Sequence, residues 1–267
     1  MNYAERRRAW KAWHRRLQTF ERRYLPRIQK ALSNEAQRFI REAEQVGFQT
    51  AYKSLRIVNE ELLQAVNSMH KAVARDFGAE ANRELKRGQK VSFFNANFIL
   101  SITEILTRQA LDLLTLVEQT TKQRILDILV RQTAQQWSFA ETARQITREV
   151  ASPARALTIT RTESNRAANL AKLEAARLQP FVVTKQWISV IDNRTRRFRE
   201  KDEFDHAVLD GRIAELDEPF TQIGSKGVQA VAQCPLDPAA PAAFTINCRC
   251  VFGLENKRDA QGRLIPK

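Results

Sequence analysis

The chain has 267 residues, 43% of them apolar, and carries 44 lysines and arginines against 30 aspartates and glutamates, a net charge of +14. That length and apolar share suffice for one large domain or two ordinary ones with a real core. Arginines and lysines break up the apolar positions of the first thirty residues, which excludes a signal peptide there. No stretch reaches the roughly 20 apolar residues needed to cross a bilayer, so a cytoplasmic protein without a membrane partner is expected.

The positive charge is unevenly placed. Residues 1–30 hold 10 basic and 2 acidic side chains, residues 31–180 hold 21 and 16, and residues 181–267 hold 13 and 12. Such a cationic start fits a polyanion, nucleic acid first and an anionic membrane surface or acidic protein face after it. The candidate phosphate contacts are Arg6, Arg7, Arg8, Lys11, Arg15, Arg16, Arg22 and Arg23.

In chain order, Trp10, Trp13, Leu17, Phe20 and Tyr24 recur at helical spacing, so residues 1–33 read as a basic amphipathic arm that packs on a helix or a neighbouring subunit. Pro26 is expected to end or kink it. Residues 34–135 read as a region of long helices, one over about 34–87 with Leu55, Val58, Leu62, Val66, Met69 and Val73 on one face. The next runs over about 93–131 with Phe94, Phe98, Ile102, Ile105, Leu113 and Val117, and Gly88 marks the turn between them. Ser138 with Glu141 forms a capping box before a short helix to about 149, and Ser152 followed by Pro153 starts another that runs to about Gln179.

Beyond Pro180 the character changes, with five further prolines and five glycines. Strands are predicted over 183–191, 244–246 and 251–254. The expected fold class is α+β: an extended N-terminal helical bundle followed by a small C-terminal α+β domain, residues 136–267, with short strands.

All three cysteines, Cys234, Cys248 and Cys250, lie in the last 35 residues, with His206 upstream. An odd number of cysteines without a signal peptide favours thiols or metal ligands over disulfides. A Cys3His set fills the four tetrahedral positions of a structural zinc site, a useful staple for a loop-rich domain. The single residue between Cys248 and Cys250 requires a turned backbone there; the bland alternative is three buried free thiols.

An enzymatic alternative uses the same stretch. Asp205 and His206 with Asn247 resemble the histidine and asparagine of small metal-dependent nucleases, but a second metal-binding histidine is missing, since His14 and His70 lie far upstream. Arg194, Arg196, Arg197, Arg199 and Lys201 stand beside Glu200, Asp202, Glu203 and Asp205, which predicts self-neutralisation. Arg161, Thr162 and Glu163 give no assembled transferase site and read as a buried ion pair or helix-to-sheet link.

Taken in order, SFAETARQI from Ser138, RALTITRTESNRAAN at 155–169, Trp187, DNRTR at 192–196, His206, LDG at 209–211, CPLDP at 234–238 and INCRC at 246–250 carry a family likeness. Over about residues 125–254 the chain resembles the phage Mu F-like head morphogenesis family. The resemblance implies a minor capsid protein of a tailed phage, with portal and other capsid proteins and phage DNA as partners. It also implies a role in head assembly and genome packaging or ejection, a place in the virion after the host cytoplasm, and no catalysis. A non-specific DNA-binding virion protein is the alternative, and a nuclease or transferase a more distant one.

Overall fold

The computed structural model describes residues 1–55, 59–85, 96–198 and 202–267. In chain order the elements are α1 (Tyr3–Val46), α2 (Phe48–Ser54), α3 (Glu60–Leu85), α4 (Ala96–Gln135), α5 (Phe139–Val150), α6 (Pro153–Arg177), β1 (Val183–Ile188), β2 (Ile213–Glu215), β3 (Phe220–Ile223), β4 (Gln229–Ala232), α7 (Ala242–Thr245) and β5 (Val251–Asn256). A helical N-terminal region is thus followed by a small sheet domain with short strands, the α+β class expected. None of these helices is long and apolar enough to cross a membrane.

The chain forms two compact units from interleaved stretches. One comprises Met1–Phe20, His70–Leu106 and Arg161–Lys267; the other comprises Glu21–Met69 and Thr107–Thr160. In the second, Ile28, Leu32 and Phe39 of α1 are buried, as are Leu62, Val66 and Met69 of α3, Leu114 and Val117 of α4, and Ile146 and Val150 of α5. Repeats of three and four residues put each set on one helical stripe, and burying these stripes stabilises helices that propensity alone would leave marginal.

That burial explains why α1 does not end at Pro26: the helix continues to Val46, because Ile28, Ala31 and Leu32 beyond the proline are buried and their packing offsets the lost backbone hydrogen bond. Gly47 ends it, taking φ 78° and donating its amide to the Ala43 carbonyl at 2.8 Å, the left-handed stop that glycine adopts without strain. Asn59 starts α3, its Oδ1 accepting from the Leu62 amide at 2.9 Å. Ser138 Oγ accepts from the Glu141 amide at 3.2 Å and Ser152 Oγ from the Arg155 amide at 3.2 Å, so both predicted caps are in place.

The predicted helices need two corrections: the one over 34–87 is divided among α1, α2 and α3, with the half-buried Leu55 in none of them, and the face of α4 is shifted. Leu106 and Leu114 of α4 are buried, where Ile105 and Leu113 were expected, and these two are half-buried. The buried series Phe98, Ile102, Leu106, Ala110, Leu114, Val117 keeps the true helical period. The predicted contributions of Val58, Gly88 and Phe94 lie outside the described residues.

In the first unit β1 is the centre of a three-stranded antiparallel sheet of order β2-β1-β5, and β3 and β4 form a separate hairpin. Register runs from Val183 opposite Asn256 to Ile188 opposite Val251. The expected strand at 244–246 is instead the end of α7. The Pro241 carbonyl accepts from the Phe244 and Thr245 amides, a local turn that carries Phe244 into the core. There it meets Phe204 edge-on at 5.2 Å and Trp187 at 5.8 Å between ring centres. Cys248 and Cys250 belong to this cluster of Trp187, Phe204, Phe220 and Phe244.

Candidate metal centre

Two loops of the first unit bring His206, Cys248 and Cys250 together. Cys250 immediately precedes β5, Cys248 follows α7, and His206 lies on the segment leading to β2. Their ligand atoms all lie within 4.8 Å of one another, and all three side chains are buried. His206 Nδ1 is 3.4 Å from each sulfur. Zinc–sulfur and zinc–nitrogen bonds of about 2.3 and 2.05 Å at tetrahedral angles set that separation at about 3.6 Å, so these edges fit one metal ion.

The backbone turns just ahead of the cysteine pair. Asn247 takes φ 57°, and the Cys250 amide points at Cys248 Sγ, 3.3 Å away. Burial pushes both thiols up, while the hydrogen bond from the Cys250 thiol and the charge of His206 pull Cys248 down, so Cys248 is the first to ionise. Ser189, just past β1, lies 3.3 Å from Cys250 Sγ and donates to the His206 carbonyl at 2.6 Å, while Trp187 Nε1 donates to Ser189 Oγ at 3.0 Å. The core tryptophan thereby fixes the hydroxyl that fixes the histidine.

Helix α6 clamps the two-cysteine loop. Asn165 Nδ2 donates to the carbonyls of Cys248 and Cys250 at 3.2 and 3.1 Å, and the Asn247 amide donates to Thr162 Oγ1 at 2.9 Å. Trp13 Nε1 donates to Asn165 Oδ1 at 3.0 Å, and Trp10 Nε1 to the Arg249 carbonyl at 2.9 Å. Asn165 was not foreseen as a supporting residue; the available signal was a run of polar side chains at helical spacing in TESNRAAN, without an indication of what they hold.

Beneath the clamp Glu163 is fully buried between Arg166, with which it pairs, and His70, whose Nε2 is 3.3 Å from the carboxylate. Burial pushes this carboxyl up, but Arg166 and then His70 outweigh it and hold it below its ordinary value. Of the two readings for the Arg161–Glu163 stretch, a buried ion pair is present at Glu163, with Arg166 in place of Arg161 as its cation, and Thr162 links α6 to the loop at Asn247, not to a strand.

Cys234 stands apart from the three-residue group. It is buried after β4, where burial and the nearby Asp237 push its thiol well above the ordinary range, so it is a neutral thiol in this fold. Asp205 Oδ1 accepts from the amides of Ala207 and Val208, a turn-capping role. His14 stacks on Trp10 at 4.8 Å.

The predicted nucleic-acid contacts divide. Arg6 pairs with Asp210 at 2.8 Å, and Arg16 pairs with Asp76 and with Glu80, so these two are engaged by internal carboxylates. Arg7 is half-buried, while Arg8, Lys11, Arg15, Arg22 and Arg23 are exposed. The aromatic stripe between them is a packing face within the chain, with Trp13 against Phe77 at 4.4 Å. Self-neutralisation of the later arginine run is also corrected. Asp192 takes Arg249 at 2.6 Å, and Arg196 donates to the carbonyls of Phe244 and Ile246; Arg199, Glu200 and Lys201 lie outside the described residues.

Residues 123–253 match the family described as Phage Mu protein F like protein. This segment is similar to that family. It contains α5, α6, the sheet up to Gly253 and all three residues of the metal group, so the Mu F-like head morphogenesis likeness and the candidate centre coincide. No curated protein and no solved structure matches the chain.

Proposed function

We propose that this Mu F-like protein is a minor head protein of a tailed phage, carried in the virion at the portal or capsid interior and acting structurally in head assembly and genome packaging or ejection. The observation that carries this reading is the family match over residues 123–253. Portal and other capsid proteins are the proposed partners, and the role is not enzymatic. Supporting the latter, two of the three nuclease-like residues are otherwise engaged: Asp205 caps a turn and His206 Nδ1 faces two sulfurs. Mass spectrometry of purified particles should find the protein in them, and particles from a phage lacking it should be defective in head assembly or DNA content. Its absence from particles sinks the reading.

Zinc is the proposed ion for His206, Cys248 and Cys250, where it would staple the loops around β1 and β5. Elemental analysis should give about one zinc per chain, lost in Cys248→Ser with Cys250→Ser.

DNA is the proposed polyanion for the exposed side of α1. Arg8, Lys11 and Arg15 follow one another at three and four residues and are all exposed. Each phosphate contact adds about 0.9 to the slope of log affinity against log salt, so reversing these three charges should flatten that slope by about 3. An unchanged slope would move DNA binding elsewhere.

A further inference from the structure

We propose that the metal centre is open: the ion held by His206, Cys248 and Cys250 keeps its fourth position for an oxyanion, a phosphate group, that enters through an arginine-lined cavity. The inference rests on the metal reading above and goes beyond the staple role.

Three observations carry it. First, among the described residues no fourth histidine, cysteine, aspartate or glutamate joins the group, whereas a closed structural zinc site uses four protein ligands and an open one uses three. Cys234 is excluded by position. Second, a cavity of about 180 Å³ abuts all three ligand residues. At roughly 30 Å³ per water it holds about six waters, and it lies below the roughly 300 Å³ at which pockets for drug-sized ligands begin. It fits a small anion or one backbone phosphate, with no room for a nucleoside.

Third, the lining is cationic and polar: Arg194, Arg196, Arg249 and Asn247 face the cavity, with Asp202 as its one acidic member among the described residues. Two thiolates neutralise a divalent ion, so the bound centre adds no net charge; Arg249 is paired with Asp192, which leaves Arg194 and Arg196 against Asp202 to set the sign of the cavity. Arg196 spends donors on backbone carbonyls, which fix its position without cancelling its charge. Guanidinium groups give the planar, multi-donor recognition that phosphate oxygens suit. The missing fourth ligand and the cation-lined approach therefore meet at one place.

Cobalt(II) tests this in the full chain, because its visible absorption reports both the number and the identity of ligands. Cobalt-loaded protein should show a tetrahedral thiolate spectrum that shifts saturably when inorganic phosphate is added. Arg194→Ala, at an exposed position, should raise the phosphate concentration at half-shift about tenfold, the loss of one charge-assisted contact, with cobalt stoichiometry unchanged. Failure to bind cobalt overturns the metal reading itself. A tetrahedral cobalt spectrum that phosphate leaves unmoved overturns only the open position and leaves a closed site. A short DNA duplex added in place of phosphate separates the sources: a shift with both probes assigns the position to a backbone phosphate, and a shift with phosphate alone assigns it to the free ion.

Discussion

Glu163 shows how much one side chain decides in this fold. It is wholly buried, it pairs with Arg166 and it faces His70, and Arg166 also donates to the Leu236 carbonyl at 3.1 Å. Glu163→Ala would leave the Arg166 cation buried without its counter-charge, and a loss of about 3–5 kcal/mol is expected in denaturant unfolding. Because the folded carboxyl is held below its ordinary value, its stabilisation is complete above the ordinary glutamate range and fades as pH falls through the folded value. The gap between wild type and Glu163→Gln should accordingly narrow in acid. Lys185 titrates with the opposite proton balance. Its amine is buried, donates to the Leu216 carbonyl at 2.7 Å, and is lowered from 10.5 to about 8 chiefly by burial. Between those values the unfolded chain holds a proton that the folded chain has released, so stability rises with pH across that window. Measured against Lys185→Met, the rise should be on the order of 3 kcal/mol; a flat difference would show that the amine stays charged in the fold.

Among the elements, caps and periods were the most legible. Ser138 and Ser152 announced α5 and α6 because N-cap chemistry is local, and Ser138→Ala should cost about 1 kcal/mol. Pro26 misled for the complementary reason. A proline is a local signal against helix, yet α1 passes through it because the residues beyond are buried by partners distant in sequence. Pro26→Ala should therefore stabilise the protein, by about 1–3 kcal/mol in thermal or chemical unfolding; destabilisation would mean that the proline matches a local bend. The same limit made a strand of Phe244–Ile246: an apolar triplet carries no period long enough to separate α7 from a strand. Strands β2, β3 and β4, of three or four residues each, are too short to leave an alternation, and only β1 and β5 could be read.

Across the whole molecule, the ligand types of the centre were legible and its membership was not. Histidine and cysteine are scarce enough here that their clustering is visible in sequence, but which thiol faces His206 is set by β1 pairing with β5 and by α6 gripping the loop, long-range facts without a sequence pattern. Charge behaved likewise: the excess of cations near the start was plain, whereas the carboxylates that claim Arg6 and Arg16 come from positions 60 to 204 residues away. The interleaved composition of the two units has a consequence for synthesis on the ribosome. One unit is complete once Thr160 has emerged, while the other needs Trp10 to meet Arg249 and β1 to meet β5. A chain stalled near residue 200 should thus protect the first of these from protease and leave the other open. The metal-binding half then closes after the other, and whatever ion it takes must be captured once Cys250 has emerged.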